Sequence, residues 1–298
     1  MSLSVSNVSS FAAVRSMAAP APITLAQAVA DLQGQRLSQP VVVEDTQDNL
    51  QQNLGWLQKL AASNKLASVS LTDGGTGLEF KAAQLNTYSA LVSKVNASGL
   101  TVSVVDTAAN TARMASRIQE GYEVSITDTA ANIQKNSTAL QALAAANKID
   151  ALSLADSSVP VVMKASQFAN TSALRALLSD ATVNVLDTAA NVANFNVEGA
   201  SQVTIKDSLA NVLKNATSLN TKASSLLNLD VSLSGRARAA TMTAAAFVAS
   251  ADLRDKLQDI TYTIKGTASE IADNVNDFYG LKVAVTDTAA NVQANLDV

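Results

Sequence analysis

Apolar and polar residues alternate with period two in ten short stretches of the chain, and each stretch runs into a longer one with helical spacing. The alternation predicts strands at Val41 to Glu44, Ser68 to Thr72, Thr101 to Val105, Glu123 to Thr127, Ala151 to Ala155, Thr182 to Leu186, Gln202 to Lys206, Asp230 to Ser234, Thr261 to Lys265 and Lys282 to Thr286. In each strand two apolar residues would face inward, as Val102 and Val104, Val124 and Ile126, or Val203 and Ile205 do, with a small residue between them. If the strands stack in register, the intervening Ser70, Ser103, Ser125, Ser153, Asn184, Thr204, Ser232 and Thr263 form one nearly flat, weakly charged row. That row is the candidate binding face.

Strand starts lie about 20 to 33 residues apart, and the spacing repeats in cycles of three coils and about 80 residues. The returns, such as Asn49 to Lys65 and the stretch carrying Ile133, Leu140 and Leu143, read as helices that bury one face on the strands. The longest coil of each cycle adds an extended piece after its strand, LTDGGTGLEFKAAQ, LADSSVPVVMKASQ and LSGRARAATMTAAA, turning at Asp73, Asp156 and Gly235. Residues 1–40 hold a Ser/Ala-rich lead-in and then a capping helix from Thr24 to Gly34, which covers the first edge of the core. Residues 41–298 form the array. The predicted fold is an α/β repeat solenoid with one parallel sheet face and one helical face, similar in plan to leucine-rich-repeat proteins.

Each unit joins its strand to its helix through Asp-Thr or Asp-Ser, at Asp45, Asp106, Asp128, Asp187, Asp207 and Asp287. An Asp or Thr ahead of a helix accepts from a free backbone N–H and offsets the helix dipole, which explains the pair by N-capping. The competing explanation is a column of carboxylates for calcium, with Asp106, Asp128, Asp187 and Asp207 as its candidates; calcium is the only cofactor the sequence raises. The Asn three positions after the Thr or Ser, as at Asn110, Asn132, Asn191, Asn211 and Asn291, reads as an amide ladder onto the backbones of neighbouring coils. Gly74, Gly75 and Gly77 lack the following Gly-Lys-Ser/Thr of a phosphate loop and read as a turn.

Composition narrows the chemistry. The chain has no His and no Cys, which removes a histidine acid-base, a His- or Cys-ligated metal and a thiol nucleophile from its repertoire. With its acidic residues at repeated structural positions, the expectation is a protein that is not an enzyme. A net charge of -4 with scattered Lys and Arg gives no footprint for nucleic acid. No apolar run reaches the roughly 20 residues of a membrane span, and the first residues lack a Sec-type signal pattern.

The phrases DTAANIQKNSTALQALAAANKIDALSLAD and VVVEDTQDNLQQNLGWLQKLAASNKLASVSLTD resemble the strand-helix repeats of large bacterial secreted or surface proteins, often exported without a cleaved signal. The resemblance covers residues 41–298. It implies an extracellular or cell-surface location and a non-enzymatic structural, adhesion or assembly module that associates with itself or with a protein or glycan partner. A secreted effector or toxin that grips a protein through its solenoid face is the second expectation, and an ice- or crystal-surface binder the third.

Overall fold

The computed structural model describes residues 21–226 and 228–295. Thirteen strands are present among them: β1 Val41–Asp45, β2 Leu66–Leu71, β3 Gly77–Phe80, β4 Thr101–Asp106, β5 Glu123–Asp128, β6 Ala151–Leu154, β7 Val161–Met163, β8 Val183–Asp187, β9 Gln202–Ser208, β10 Leu229–Ser234, β11 Ala239–Thr243, β12 Thr261–Gly266 and β13 Lys282–Val285. All ten predicted strands appear, with ends shifted by two residues at most. The three extended pieces are strands in their own right, β3, β7 and β11, so a cycle holds four strands and not three. The chain folds as two compact units, one of Met1–Phe80 with Gln84–Ser103 and the other of Lys81–Ala83 with Val104–Val298.

In the first unit β1 and β2 pair in parallel. Ile23 bridges to Val43, and the helix Leu25–Gln33 follows with Thr24 at its N-cap and Leu25 and Ala28 buried. The strand β3 lies against the helix Gln47–Gln52. Its Gly77 is needed there because a Cβ would overlap the backbone carbonyl of Thr101.

In the second unit every recorded strand pairing is again parallel: β5 with β6, then β7-β8-β9-β10, then β11-β12-β13. One continuous sheet was expected, and separate sheets are found. The break falls after β6 and after β10. Beyond β6 the turn at Asp156 carries the chain off, and β7 settles against the helix Ala130–Lys135 that follows β5. The strands before each break are covered on one side only, so Leu152, Leu154, Val231 and Leu233 are half-buried where their counterparts Val124, Ile126, Val203 and Ile205 are buried.

The helical returns also differ from the single helices expected. Three of them break in two at an Asn: Gln47–Gln52 and Leu54–Ala62, Ala130–Lys135 and Ser137–Ala145, Leu209–Lys214 and Ala216–Ser225. An Asn sits at each break, with the backbone out of the α region (Asn53 φ -118°, Asn136 φ -101°, Asn215 φ -105°). Its amide donates to the carbonyl four residues back, Asn53 to Asn49, Asn136 to Asn132 and Asn215 to Asn211. At Asn53 and Asn215, whose backbone N–H turns to Leu50 and to Val212, the side chain thus satisfies a carbonyl the bend would strand; at Asn136 the backbone N–H still reaches Asn132 and the amide adds a second bond. Bending lets two short helices wrap the corner of a coil, so Ile133, Leu140 and Leu143 all reach the core.

The core is aliphatic, with Phe80, Phe168 and Phe247 as its largest fully buried side chains. The two later phenylalanines, 79 positions apart, each lie under an arginine: Arg175 stands 3.8 Å over the Phe168 ring and Arg254 3.5 Å over that of Phe247. Burial draws the Arg175 guanidinium below its usual range.

Candidate functional site

The Asp-Thr junctions are the most repeated chemistry, and the structure assigns the two residues separate tasks. The Thr or Ser is the N-cap: Thr107 Oγ1 accepts from Asn110 N–H, Thr129 from Asn132, Thr188 from Asn191, Ser208 from Asn211 and Thr288 from Asn291. The Asp reaches out of its own coil. Its Oδ2 accepts from a backbone N–H of the coil before, the first of a helix in every case but Ala82, which lies in the turn ahead of the helix Gln84–Thr87: Asp45 from Leu25 (3.1 Å), Asp106 from Ala82 (2.9 Å), Asp128 from Ala108 (2.9 Å), Asp187 from Ala165 (2.9 Å), Asp207 from Ala189 (3.1 Å) and Asp287 from Ala268 (3.0 Å). Each carboxylate is therefore a bond between coils as well as a counter-charge at a helix N-terminus.

The other oxygen is occupied within the coil. Oδ1 accepts from the next backbone N–H and from the amide of the Asn four residues on, at 2.7 and 2.8 Å in Asp106, 2.8 and 2.6 Å in Asp128, 2.8 and 2.8 Å in Asp187, and 2.8 and 2.7 Å in Asp207. This corrects the expected amide ladder. The Asn side chains do not run from coil to coil; they donate to their own Asp and hold the carboxylate in its bridging rotamer. Where a cycle lacks an Asp-Thr junction, a turn supplies the acceptor: Asp73 takes Gln47 N–H and Asp156 takes Ala130 N–H. At the third such turn stands Gly235, and no carboxylate among the described residues takes the N–H of Leu209.

Electrostatics follow from this geometry. Burial pushes the carboxyls of Asp45, Asp106, Asp187 and Asp207 up, but the bonds from the Asn amide and two backbone N–H groups outweigh it, and each lies below the usual carboxylate range. Asp287 is lowered too, chiefly by the Asn291 amide. All of these stay ionised to low pH. For the calcium candidates Asp106, Asp128, Asp187 and Asp207, the oxygens a cation would use face three N–H donors each, whereas calcium wants six to eight converging oxygens. Among the described residues no cluster of three or more acidic, His or Cys side chains could hold a metal ion.

The expected binding row is partly exposed, as its small side chains imply, but it is not one row. The register sets Ser125 beside Ala151 and Ser153 beside Thr127; Asn184 lies beside Gln202, and Thr204 beside Leu186. Ser232 lies beside Lys206, Ser70 beside Glu44 and Thr263 beside Thr241. The pairing steps by two residues from strand to strand, and the face carries Glu44, Lys206 and Asp230 among its small residues. Ser103, on β4, is half-buried. The face is stepped and charged where a flat neutral one was expected.

Two grooves mark the sheet breaks of the second unit. One, about 200 Å³, is walled by Leu152, Leu154, Leu177, Leu178 and Asp180; the other, about 240 Å³, by Val231, Leu233, Arg238, Lys256 and Asp259. Most wall positions match at an offset of 79, Leu152 to Val231, Leu154 to Leu233 and Asp180 to Asp259, so this is one feature written twice. Residue pairs that bind neighbouring coils through their second helices escaped the sequence reading altogether: Gln58 Oε1 accepts from Leu91 N–H, Gln141 Oε1 from Leu174 N–H and Asn220 Oδ1 from Leu253 N–H, each across 33 positions. The constant spacing is a signal in the sequence, visible once the cycle is aligned.

No helix among the described residues is long and apolar enough to cross a membrane. Comparison of the chain with protein-family models, with curated proteins and with solved structures finds no match.

Proposed function

We propose that the coils stack as an α/β solenoid of leucine-rich-repeat-like plan, and that the chain is a non-enzymatic structural, adhesion or assembly module of a bacterial secreted or cell-surface protein. The carboxylate ladder is the observation that carries this. The polar groups repeated along the chain are consumed in joining one coil to the next, and the repeating bond suits a module whose outward surfaces are free to bind. Its partner is a second copy of the chain, a protein or a glycan. The test is light scattering of the purified chain over a concentration series, with calcium and with chelator. Mass that rises with concentration supports an assembly module; a monomer at every concentration, indifferent to calcium, overturns self-association.

A second function, a secreted effector that grips one protein partner, is favoured by the twin grooves at the sheet breaks. It requires a localised hot spot, so substitutions at Leu154 or Leu178 would abolish capture of that partner while changes on distant coils would not.

A further inference from the structure

We propose that the groove beside Trp56 in the first unit is a carbohydrate-binding site, for a neutral glycan of equatorially substituted hexoses such as β-linked glucose or N-acetylglucosamine. The proposal rests on the adhesion reading above and names its ligand. The groove, about 330 Å³, lies between the helix Leu25–Gln33 and the bent pair Gln47–Gln52 and Leu54–Ala62, and is walled by Leu25, Ala26, Val29, Asn49, Asn53 and Trp56. That volume falls within the range of small-ligand sites.

The repeat shows that the fold does not ask for this groove. Aligned on the Asn at the helix break, Trp56 corresponds to Ala139 after Asn136 and to Ser218 after Asn215. Aligned on the capping Thr, Val29 corresponds to Ala112 and Ala193. The later coils form the same corner with small side chains, so the chain's single Trp is an addition to the plan and not a requirement of it. Trp56 is half-buried, where Leu54 and Leu57 on the same helix are buried.

The walls select the ligand. Lys59 Nζ stands 3.9 Å from the centre of the Trp56 ring but is not a wall of the groove, so it holds the indole from outside and leaves the groove side of the ring to a ligand. That apolar surface, continued by Val29 and Ala26, takes a flat C–H face. Beside it the Asn53 amide donates to Asn49, at 2.8 Å to the carbonyl and 3.1 Å to Oδ1, while nothing among the described residues donates to Asn53 Oδ1. This oxygen is left to accept a hydroxyl. None of the walls is ionisable, so a charged ligand would be desolvated there without a counter-charge. A neutral molecule with C–H on its faces and hydroxyls on its rim is a pyranose, and equatorial substituents leave both of its faces C–H. The indole then supplies contact area and the Asn oxygen supplies orientation.

As the chain's single Trp, Trp56 is its own reporter. Titrated with cellotriose or with triacetylchitotriose, the chain should show a saturable change in tryptophan emission, and the acidic trigalacturonate should give none. Calorimetry of the same titrations should find the affinity lowered about tenfold or more in Trp56→Ala, which loses the stacked face, and in Ala26→Arg, which keeps the reporter and fills the groove. Ala139 already occupies the Trp56 position of a later coil, and Ala26 is exposed on its helix, so both variants should keep the wild-type circular dichroism spectrum. Should Trp56→Ala misfold, Ala26→Arg decides alone. Neither emission change nor heat with both neutral trisaccharides up to about 10 mM, beyond the weakest affinity of a specific site, overturns the proposal, and the adhesion reading is then decided by the scattering test above. Binding that persists undiminished in both variants overturns this groove while leaving glycan adhesion standing. Trigalacturonate bound as well as the neutral sugars overturns the ligand class.

Discussion

Replacing Asp187 by Ala tests the carboxylate ladder where its geometry is fullest. Asp187 is 5% exposed and accepts from Thr188 N–H, the Asn191 amide and Ala165 N–H. Thr188 and Asn191 are exposed, so water replaces their lost acceptor. Ala165 is fully buried, and its N–H would be left without a partner at about 1–3 kcal/mol. Loss of the charge from the N-terminus of Ala165–Ala169 adds about 0.3–1 kcal/mol. The sum, about 1–4 kcal/mol, corresponds to a fall of roughly 3–15 °C in the thermal midpoint of a unit of about 200 residues. Chemical denaturation should show it as a lower midpoint at unchanged slope. Asp187→Asn, which keeps the volume but must turn a donor toward one of the three N–H groups, should fall between. Asn191→Ala breaks one exposed bond, at about 0.5–1 kcal/mol, and should cost almost nothing further in an Asp187→Ala background, because its acceptor is already gone. An Asp187→Ala chain within about 0.5 kcal/mol of wild type, the range of ordinary surface changes, would refute the ladder as a source of stability. So would strict additivity with Asn191→Ala.

Four further outcomes are expected. The carboxyls of Asp45, Asp106, Asp187, Asp207 and Asp287 are lowered on folding, so the unfolded chain binds protons first; their contribution is complete above the ordinary carboxyl value of about 4 and is lost as pH falls through the depressed range. Thermal midpoints measured from pH 7 down to pH 2 should hold and then drop steeply, and Asp187→Asn should flatten that drop. Gln141→Ala strands the N–H of Leu174, which is fully buried, and should lower stability by about 1–3 kcal/mol, read by urea titration; a neutral result would mean that bond is not formed in solution. Gly77→Ala forces a Cβ onto the Thr101 carbonyl and should destabilise by more than the about 0.5–1 kcal/mol that Ala otherwise gains over Gly, whereas Gly55→Ala, with open space around it and a place inside a helix, should stabilise slightly. Phe247→Ala empties a fully buried site against Tyr262 and Phe278 and should cost about 3–5 kcal/mol, measured by the same titration.

Much of this fold is legible in the chain because its units are short and repeated. Alternation such as that of Val124-Ser125-Ile126 has a local cause, a strand with one buried face, and copies of it at regular spacing leave little freedom in placing strands. The junction Asp-Thr-Ala-Ala-Asn announces a helix start just as locally, and Thr107, Thr129 and Thr188 cap as their sequence implies. The strand β7 was harder to read: Val161-Val162-Met163 is only three residues long and follows a turn, too brief to show a period. The helix breaks at Asn53 and Asn136 hid for another reason. Apolar spacing runs through them, and the bend is visible only when the amide finds the carbonyl four residues back.

By itself, then, the sequence determined ten of the thirteen strands, where the helix after each Asp-Thr junction starts and which strand residues face inward, since each of these rests on neighbours within one or two turns of chain. Only the tertiary structure decided what the strand-end carboxylates bond to, how far each strand slides on the next, and where the sheet stops. Asp187 finds Ala165 across 22 positions, and Ser125 sits beside Ala151 and not beside Ser153. Those choices depend on how whole coils pack: sliding a parallel strand by two residues keeps every side chain on its own face, so alternation cannot register it, and only packing of the coils selects among such slides.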